Sequence, residues 1–307
     1  MLKIQDAVNK FYNRCVAMGM SDKTVTTYRY SFLGFTRFLS IKNIFHVEEI
    51  EPDTIREYLV HMRNKGYAPD TIRDRYCCIA TWFNFLCSDG LIVGNPAKAV
   101  KRPKTPKILA RTFTASELRK LLGYFKTDTF TGMRNKMIMY MLYGTGIRKT
   151  ELLELTVFSL HMDVSSMTII GKGNKQREVP LSPVLMKMLR MYLGRREELL
   201  LKYECETSRL FVTKYGRPLT DSGLRQVFRD LRQGTGIGGL RVSPHTFRHS
   251  FAKSFLTNGG NLFSLQEILG HEDIATTRIY VAYMDDELGQ QMKNFCPLDN
   301  TKWSYLG

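Results

Sequence analysis

Residues 100–110 read Val-Lys-Arg-Pro-Lys-Thr-Pro-Lys-Ile-Leu-Ala, and no other stretch limits the architecture as much. Pro103 and Pro106 each fix φ and withdraw a backbone donor, so no helix runs through this segment. The chain has 307 residues, and single hydrophobic cores stop growing at about 250–300. The prolines therefore mark a boundary. A first domain spans 1–99, a basic linker 100–111, a second domain 112–287 and a tail 288–307. Four of the eleven residues from 100 to 110 are cationic: Lys101, Arg102, Lys104 and Lys107. Such a strap suits a phosphate backbone.

Apolar periodicity assigns the flanks. Ile4, Ala7, Val8, Phe11, Tyr12 and Cys15 make one helical stripe over 4–19. Ser21 caps a second helix carrying Val25, Tyr28, Phe32, Phe35 and Phe38. Two more helices open on the same words, Pro52-Asp53-Thr54-Ile55-Arg56 and Pro69-Asp70-Thr71-Ile72-Arg73, and stop at Gly66 and Gly90. The first domain is thus a bundle of four helices. The second begins at a capping box, Thr114 to Glu117, and continues into an apolar, Met-rich core helix over 131–143. A glycine turn leads to Arg148. Strands over Met167–Ile170 and Arg177–Leu181 flank a Gly171–Lys175 turn. A helix over 183–200 directs Val184, Leu185, Met188, Leu189, Tyr192 and Leu193 inward, a short strand covers 209–213, and a helix covers Asp221–Arg232. Ser243 caps a helix with Pro244 at its first position, Asp273 caps another, and Leu288–Phe295 forms a last short one. The chain is mainly α with a small β-sheet.

The net charge is +16, spread over both halves: residues 1–110 hold 17 Lys and Arg against 10 Asp and Glu. Two basic domains fit a clamp around a polyanion. Six scattered cysteines with no Cys-x-x-Cys pair argue for a reducing compartment, not a disulfide framework. Met1 leads into a mixed polar helix without a signal-peptide pattern, and no run of about 18 apolar residues offers a membrane span. No His, Cys and carboxylate cluster has metal-ligand spacing, and no P-loop occurs, so neither metal nor nucleotide cofactor is expected.

The chemistry concentrates between Ser243 and Tyr280. There, His245, Arg248, His249, His271 and Tyr280 recur among apolar residues. Breaking a phosphodiester without metal requires a nucleophile, cations on the non-bridging oxygens and an acid for the leaving oxygen. Arginine is the best clamp, because its planar fork matches two phosphate oxygens. Arg148 follows the glycine turn, and Arg248 stands three residues after His245, on one helical face with it. Lys172, at a hairpin tip, suits proton donation; Lys175 is its rival. A free phenol, of pKa about 10, is a poor nucleophile, and nearby cations favour its phenolate. Each feature also has a plain reading: Arg148 and Glu151 as a helical ion pair, Gly-Lys-Gly as a surface hairpin, Tyr280 as a core aromatic.

Order and spacing together carry more. Thr145-Gly146-Ile147-Arg148-x-x-Glu151-Leu152, Gly171-Lys172-Gly173-Asn174-Lys175, His245-x-x-Arg248-His249-Ser250-Phe251-Ala252 and Leu269-Gly270-His271-x-x-Ile274-x-Thr276-Thr277-x-x-Tyr280 resemble the tyrosine recombinases, the phage-integrase and Xer-type family. The resemblance covers 112 to about 290 by motif and the first domain in general form. It implies a helical, SAM-like core-binding domain and a mixed α/β catalytic domain closing as a C-shaped DNA clamp. Tyr280 would attack the scissile phosphate and form a 3′-phosphotyrosyl bond. Arg148 and Arg248 would hold its oxygens, Lys172 would protonate the 5′-oxygen, His245 would assist proton transfer, His271 would hydrogen-bond the phosphate, and Glu151 would orient Arg148. Lys101, Arg102, Lys104, Lys107 and Lys175 would contact DNA. Phe247 stands where the family often has Leu, and Ala282 where many members have His. Tyr283 is the nearby rival nucleophile.

The resemblance further implies site-specific exchange on double-stranded DNA, by a homotetramer on two duplexes with no ATP and no metal. The tail would dock into a neighbouring subunit. An accessory DNA-bending protein or partner recombinase is left open, as are integration, excision and dimer resolution. The setting would be the cytoplasm and nucleoid of a prokaryote or a mobile element. Two alternatives stand beside this reading: a type IB topoisomerase, and a catalytically inactive DNA-binding regulator on the same scaffold.

Overall fold

The computed structural model describes residues 1–105, 111–171, 175–270 and 280. The chain divides into two compact units, Met1–Ile108 and Leu109–Gly307. None of the described helices is long and apolar enough to cross a membrane.

The first unit is built from α1 (Ile4–Ala17), α2 (Asp22–Ile41), α3 (Pro52–Asn64) and α4 (Pro69–Ser88). The Ser21 hydroxyl accepts from the Thr24 N–H, as the cap of α2 requires. The two Pro-Asp-Thr-Ile-Arg segments fold alike. Proline occupies the first turn, the isoleucine is buried, and Asp pairs with Arg three residues on, Asp53 with Arg56 and Asp70 with Arg73. Of their Asp and Thr side chains, Thr54 takes part in the start of α3, its hydroxyl accepting from the Glu51 N–H. Glu51 is the N-cap of α3, and Ala68 at the start of α4 brings no side-chain bond. Phe11, Tyr28, Phe32, Trp82 and Phe85 interlock through the core, mostly edge to face, a geometry that adds about 0.5–1.5 kcal/mol per pair beyond burial. The linker's first residues are tied to this bundle. Tyr76 Oη donates to Val100 O at 2.6 Å, Arg56 Nη2 to Ala99 O, and Arg73 Nη1 to Thr105 Oγ1.

The second unit contains α5 (Ala115–Tyr124), α6 (Phe130–Thr145), α7 (Lys149–Glu154), strands β1 (Leu160–His161), β2 (Ser166–Ile170) and β3 (Gln176–Pro180), then α8 (Pro183–Lys202), α9 (Asp221–Thr235), α10 (Pro244–Thr257) and α11 (Leu262–Leu269). Met133, Met137, Ile138, Met139, Met141 and Leu142 are all buried, as are Arg134 and Asn135, so α6 is covered on nearly every side and runs through the core. The sheet is antiparallel in the order β1-β2-β3. Its register pairs Met167 with Val179 and Ile169 with Arg177. Directly opposed residues share a face, so Arg177 points inward with Met167, Ile169 and Val179.

Three sequence expectations are corrected here. Residues 209–213 make no strand, only isolated bridges from Arg209 to Thr156 and from Val212 to Pro218; Arg196 Nε and Nη2 take up the Arg209 carbonyl instead. Val184 is exposed, because the buried stripe of α8 runs through Leu185, Leu189, Tyr192 and Arg196 and Val184 lies about 100° off it. The glycine turn belongs to Gly146 alone: Gly144 is still within α6, and Gly146 caps that helix at φ 63°. A Cβ on Gly146 would lie 2.3 Å from Phe251 Cδ1 and 2.8 Å from Leu269 Cδ2, so its small size admits α10 and α11. The strand β1 and the helix α11 carry no expectation from periodicity. Asp273 and the helix expected over Leu288–Phe295, with the tail around it, lie outside the described residues.

Candidate active site

Three arginines from three elements meet the end of α11. A helix leaves its last carbonyls without intrahelical partners, and those carbonyls form the negative end of its dipole. Here three consecutive ones are satisfied by guanidinium groups. Arg177 Nε donates to Ile268 O at 2.8 Å, Arg248 Nη2 to Leu269 O at 2.7 Å, and Arg148 Nη2 to Gly270 O at 3.0 Å. Gly270 is left-handed at φ 63°, and a Cβ there would stand 2.9 Å from Arg177 Cδ. The glycine is therefore required both by its conformation and by the arginine packed beneath it.

Arg148 is the N-cap residue of α7, where the chain leaves the Gly146 turn. Its backbone N–H donates to Glu151 Oε2 at 2.7 Å and its Nη1 to Glu151 Oε1 at 2.8 Å. The helical ion pair expected from the spacing is thus real, and it leaves the Arg148 side chain 40% exposed. Glu151 is 4% exposed along its side chain and also receives Arg177 in a two-pronged pair at 3.0 and 2.8 Å. Burial works against its ionisation, but the Arg177 and Arg148 bonds outweigh that and hold the carboxyl at about 2. Arg248 is buried on α10 and also donates through Nη1 to Gly146 O at 2.7 Å. Desolvation first, and then the Arg148 charge, bring it down to about 10, so it stays cationic.

Ser243 caps α10, accepting from the Thr246 N–H, with Pro244 in the first turn. That start sets the helix face carrying His245, Arg248 and His249. His245 does not stand alone with Arg248: its Nε2 lies 2.7 Å from His249 Nε2. His249 Nδ1 lies 2.8 Å from the Tyr280 hydroxyl. The Tyr280 ring is buried among Phe251, Ala252, Leu256, Leu265 and Leu269. His249 is pushed down to about 4 by desolvation and by the nearby His245 and Arg248. His245 is exposed as a residue, but its imidazole is lowered too, by partial desolvation and then by Arg248 and Arg241. Phe247 lies on the opposite side, edge-on to Phe113 and Phe228 in the core.

The structure therefore gathers Arg148, Glu151, Arg248, His245 and Tyr280 around α10 and the end of α11. Lys172, His271, Tyr283 and Lys107 lie outside the described residues. Lys101, Arg102 and Lys104 are exposed on the first unit, and Lys175 is exposed beside the hairpin turn. Among the described residues, no group of three or more His, Cys, Asp or Glu is arranged to hold a metal ion. Sequence reasoning gave no role to two participants. Arg177 was signalled by strand alternation, two residues before the inward Val179. His249 follows Arg248 directly and sits at i+4 from His245, which is itself a helical contact.

Residues 111–287 match the Phage integrase family, and residues 9–90 match its N-terminal SAM-like domain, described as Phage integrase, N-terminal SAM-like domain. The chain is 30% identical to Tyrosine recombinase XerD of Listeria monocytogenes serovar 1/2a over 283 residues, covering 92% of this chain and 95% of that protein. It is 33% identical to Tyrosine recombinase XerC of Bacillus licheniformis, covering 87% and 88%. Among solved structures, XerH recombinase bound to palindromic difH substrate superposes with a TM-score of 0.75 at 22% identity, covering 93% of this chain and 83% of that one. A lambda integrase dimer bound to a COC′ core site gives 0.73 at 17%, covering 90% and 97%. At those identities, the two structural likenesses speak for the fold.

Proposed function

Because this chain belongs to the phage integrase family of tyrosine recombinases, enzymes that cleave and rejoin DNA, we propose that Tyr280 is its nucleophile and that Arg148 and Arg248 hold the scissile phosphate. The observation that carries this reading is the convergence of two arginines, a hundred residues apart in sequence, on adjacent carbonyls at the end of α11. The helix carrying Arg248 also supplies the histidine that meets the Tyr280 hydroxyl.

The steps follow from charge. Two guanidiniums stabilise negative charge on the phosphate oxygens as the phenolate oxygen bonds to phosphorus. The P–O5′ bond breaks, and Lys172 supplies the proton that makes the leaving group a hydroxyl; such positioned acids contribute about 10²–10⁴ in rate. His271 bonds the phosphate, and Glu151 orients Arg148. The 3′-phosphotyrosyl bond conserves the phosphodiester energy, so a second 5′-hydroxyl rejoins the strand by the reverse steps. The helical domain over 1–99 grips the duplex, the basic linker over 100–111 follows its backbone through Lys101, Arg102, Lys104 and Lys107, and the domain over 112–287 does the chemistry. The assembly is a tetramer on two duplexes, joined through the tail over 288–307, and it acts in the cytoplasm on the nucleoid.

Covalent capture tests this. The protein is incubated with a nicked-duplex library from the DNA flanking its gene, denatured, and whatever stays bound is sequenced. Capture at one short site, lost in Tyr280→Phe and kept in Tyr283→Phe, is the expected result. The reverse pattern overturns the nucleophile, capture everywhere indicates a topoisomerase, and tight binding without capture indicates a regulator.

A further inference from the structure

The Tyr280 hydroxyl, His249 and His245 form a single file. Tyr280 Oη is 2.8 Å from His249 Nδ1, and the far nitrogen of the same ring, Nε2, is 2.7 Å from His245 Nε2. The two imidazoles stand nearly perpendicular, 80° apart with centroids at 4.1 Å. One end of the file is buried, since Tyr280 is 2% exposed, and the other is open, since His245 is an exposed residue. Deprotonating a phenol inside an apolar pocket requires a route for the proton. Among the described residues, Phe251, Leu256, Leu265 and Leu269 surround the ring, and His249 stands at its hydroxyl.

From this geometry we infer that His249 is a further catalytic residue, relaying the Tyr280 proton to His245 and from there to solvent. The inference rests on Tyr280 being the nucleophile. The transfers balance atom by atom. As the Tyr280 oxygen bonds to phosphorus, its proton passes to His249 Nδ1. His249 releases its Nε2 proton to His245 Nε2, and His245 releases its Nδ1 proton to water. The file then runs with its tautomers inverted, and rejoining drives it back. An imidazole with one nitrogen at each neighbour passes a proton without moving, because its two nitrogens exchange donor and acceptor roles. His249 is also disfavoured as a cation by its burial and its cationic neighbours, so it hands the proton on and does not hold it.

The test separates relay from support. His249→Asn keeps a polar group near the position of Nδ1, against the Tyr280 hydroxyl, and His249→Gln keeps one near Nε2, against His245; neither carries a proton through. Both should bind the captured site with wild-type affinity and melt near wild type, yet cleave it about 10²-fold more slowly. Replacing Tyr280 with 3,5-difluorotyrosine, a more acidic phenol, should restore at least about tenfold of that rate in the His249→Asn background. Cleavage by His249→Asn within about threefold of wild type, or no rescue by the fluorinated phenol, overturns the relay and leaves His249 a support for the ring. A DNA-free readout keeps the two proposals apart. In imidazole ¹⁵N spectra of the full-length free protein, Tyr280→Phe should shift the His245 ring nitrogens as well as those of His249. An unmoved His245 overturns the file whether or not any DNA is captured, whereas a failed capture with a shifted His245 counts against the nucleophile assignment only.

Discussion

Arg177→Met tests whether the cation beneath Gly270 holds the site together. The substitution keeps most of the apolar stem and removes the fork, so Glu151 keeps only its two bonds from Arg148. A carboxyl held at about 2 and not at 4.5 represents about 3 kcal/mol of folding free energy at neutral pH. Arg177 supplies the first of the interactions that lower it. Removing one member of a buried pair costs about 3–5 kcal/mol by general experience, which agrees in size. For a unit of this length the melting temperature should fall by about 6–12 °C at pH 7. The sign with pH is set by a carboxylate whose folded pKa is depressed. Its contribution is whole above about 4.5 and is lost as pH falls towards 2, so wild type and variant should converge in that window. Thermal unfolding by circular dichroism measures the loss. Hydrogen exchange should localise it to the second unit, with the amides of α1–α4 unchanged. Adding Glu151→Gln to Arg177→Met should recover at least about 1 kcal/mol, because the stranded charge disappears. If the two substitutions are additive to within about 0.5 kcal/mol, the clasp is not what stabilises the site and the reasoning fails.

Three further outcomes follow from the geometry. Gly146→Ala should cost at least about 2 kcal/mol in a melt, since it combines a positive φ with a Cβ 2.3 Å from Phe251; a loss below about 1 kcal/mol would mean that α10 moves aside easily. Replacing Lys101, Arg102, Lys104 and Lys107 with Ala should lower the slope of log affinity against log salt by about 3–4, near 0.9 for each phosphate contact, and an unchanged slope would make the linker a spacer. Lys172→Ala should lose strand cleavage and regain it on a DNA 5′-phosphorothiolate, whose sulfur leaves with little acid assistance; without regain, the acid is another group, with Lys175 the first to examine.

The periodicity of the chain made the helices legible, because an amphipathic stripe and a cap act within a few residues of one another. Ser21, Thr114 and Ser243 each cap the helix their position implies. Arg148, Glu151, Arg248 and Tyr280 were legible as a set through their spacing, and the Arg148–Glu151 pair was visible as an i,i+3 contact. The Arg177 pair with Glu151 was not, since it joins positions 26 apart through a strand register. The same holds for the end of α11, where backbone atoms take the arginines and no side chain advertises the fact. Val184 misled because it stands next to the buried Leu185 in sequence but about 100° away from it around the helix.

The three carbonyls of Ile268, Leu269 and Gly270 have a consequence for how this protein tolerates sequence change. Every residue type brings a main-chain oxygen, so replacing the Ile268 or Leu269 side chain leaves the anchor of Arg177 or Arg248 in place. Drift in composition is harmless to the anchoring, whereas drift in length is not. One residue inserted or deleted between Leu262 and Gly270 would offset all three acceptors together from guanidiniums fixed on β3, α7 and α10. A library scanning this segment should therefore accept many substitutions at 268, only apolar ones of similar size at the buried Leu269, and almost no insertions or deletions, with Gly270 intolerant of both.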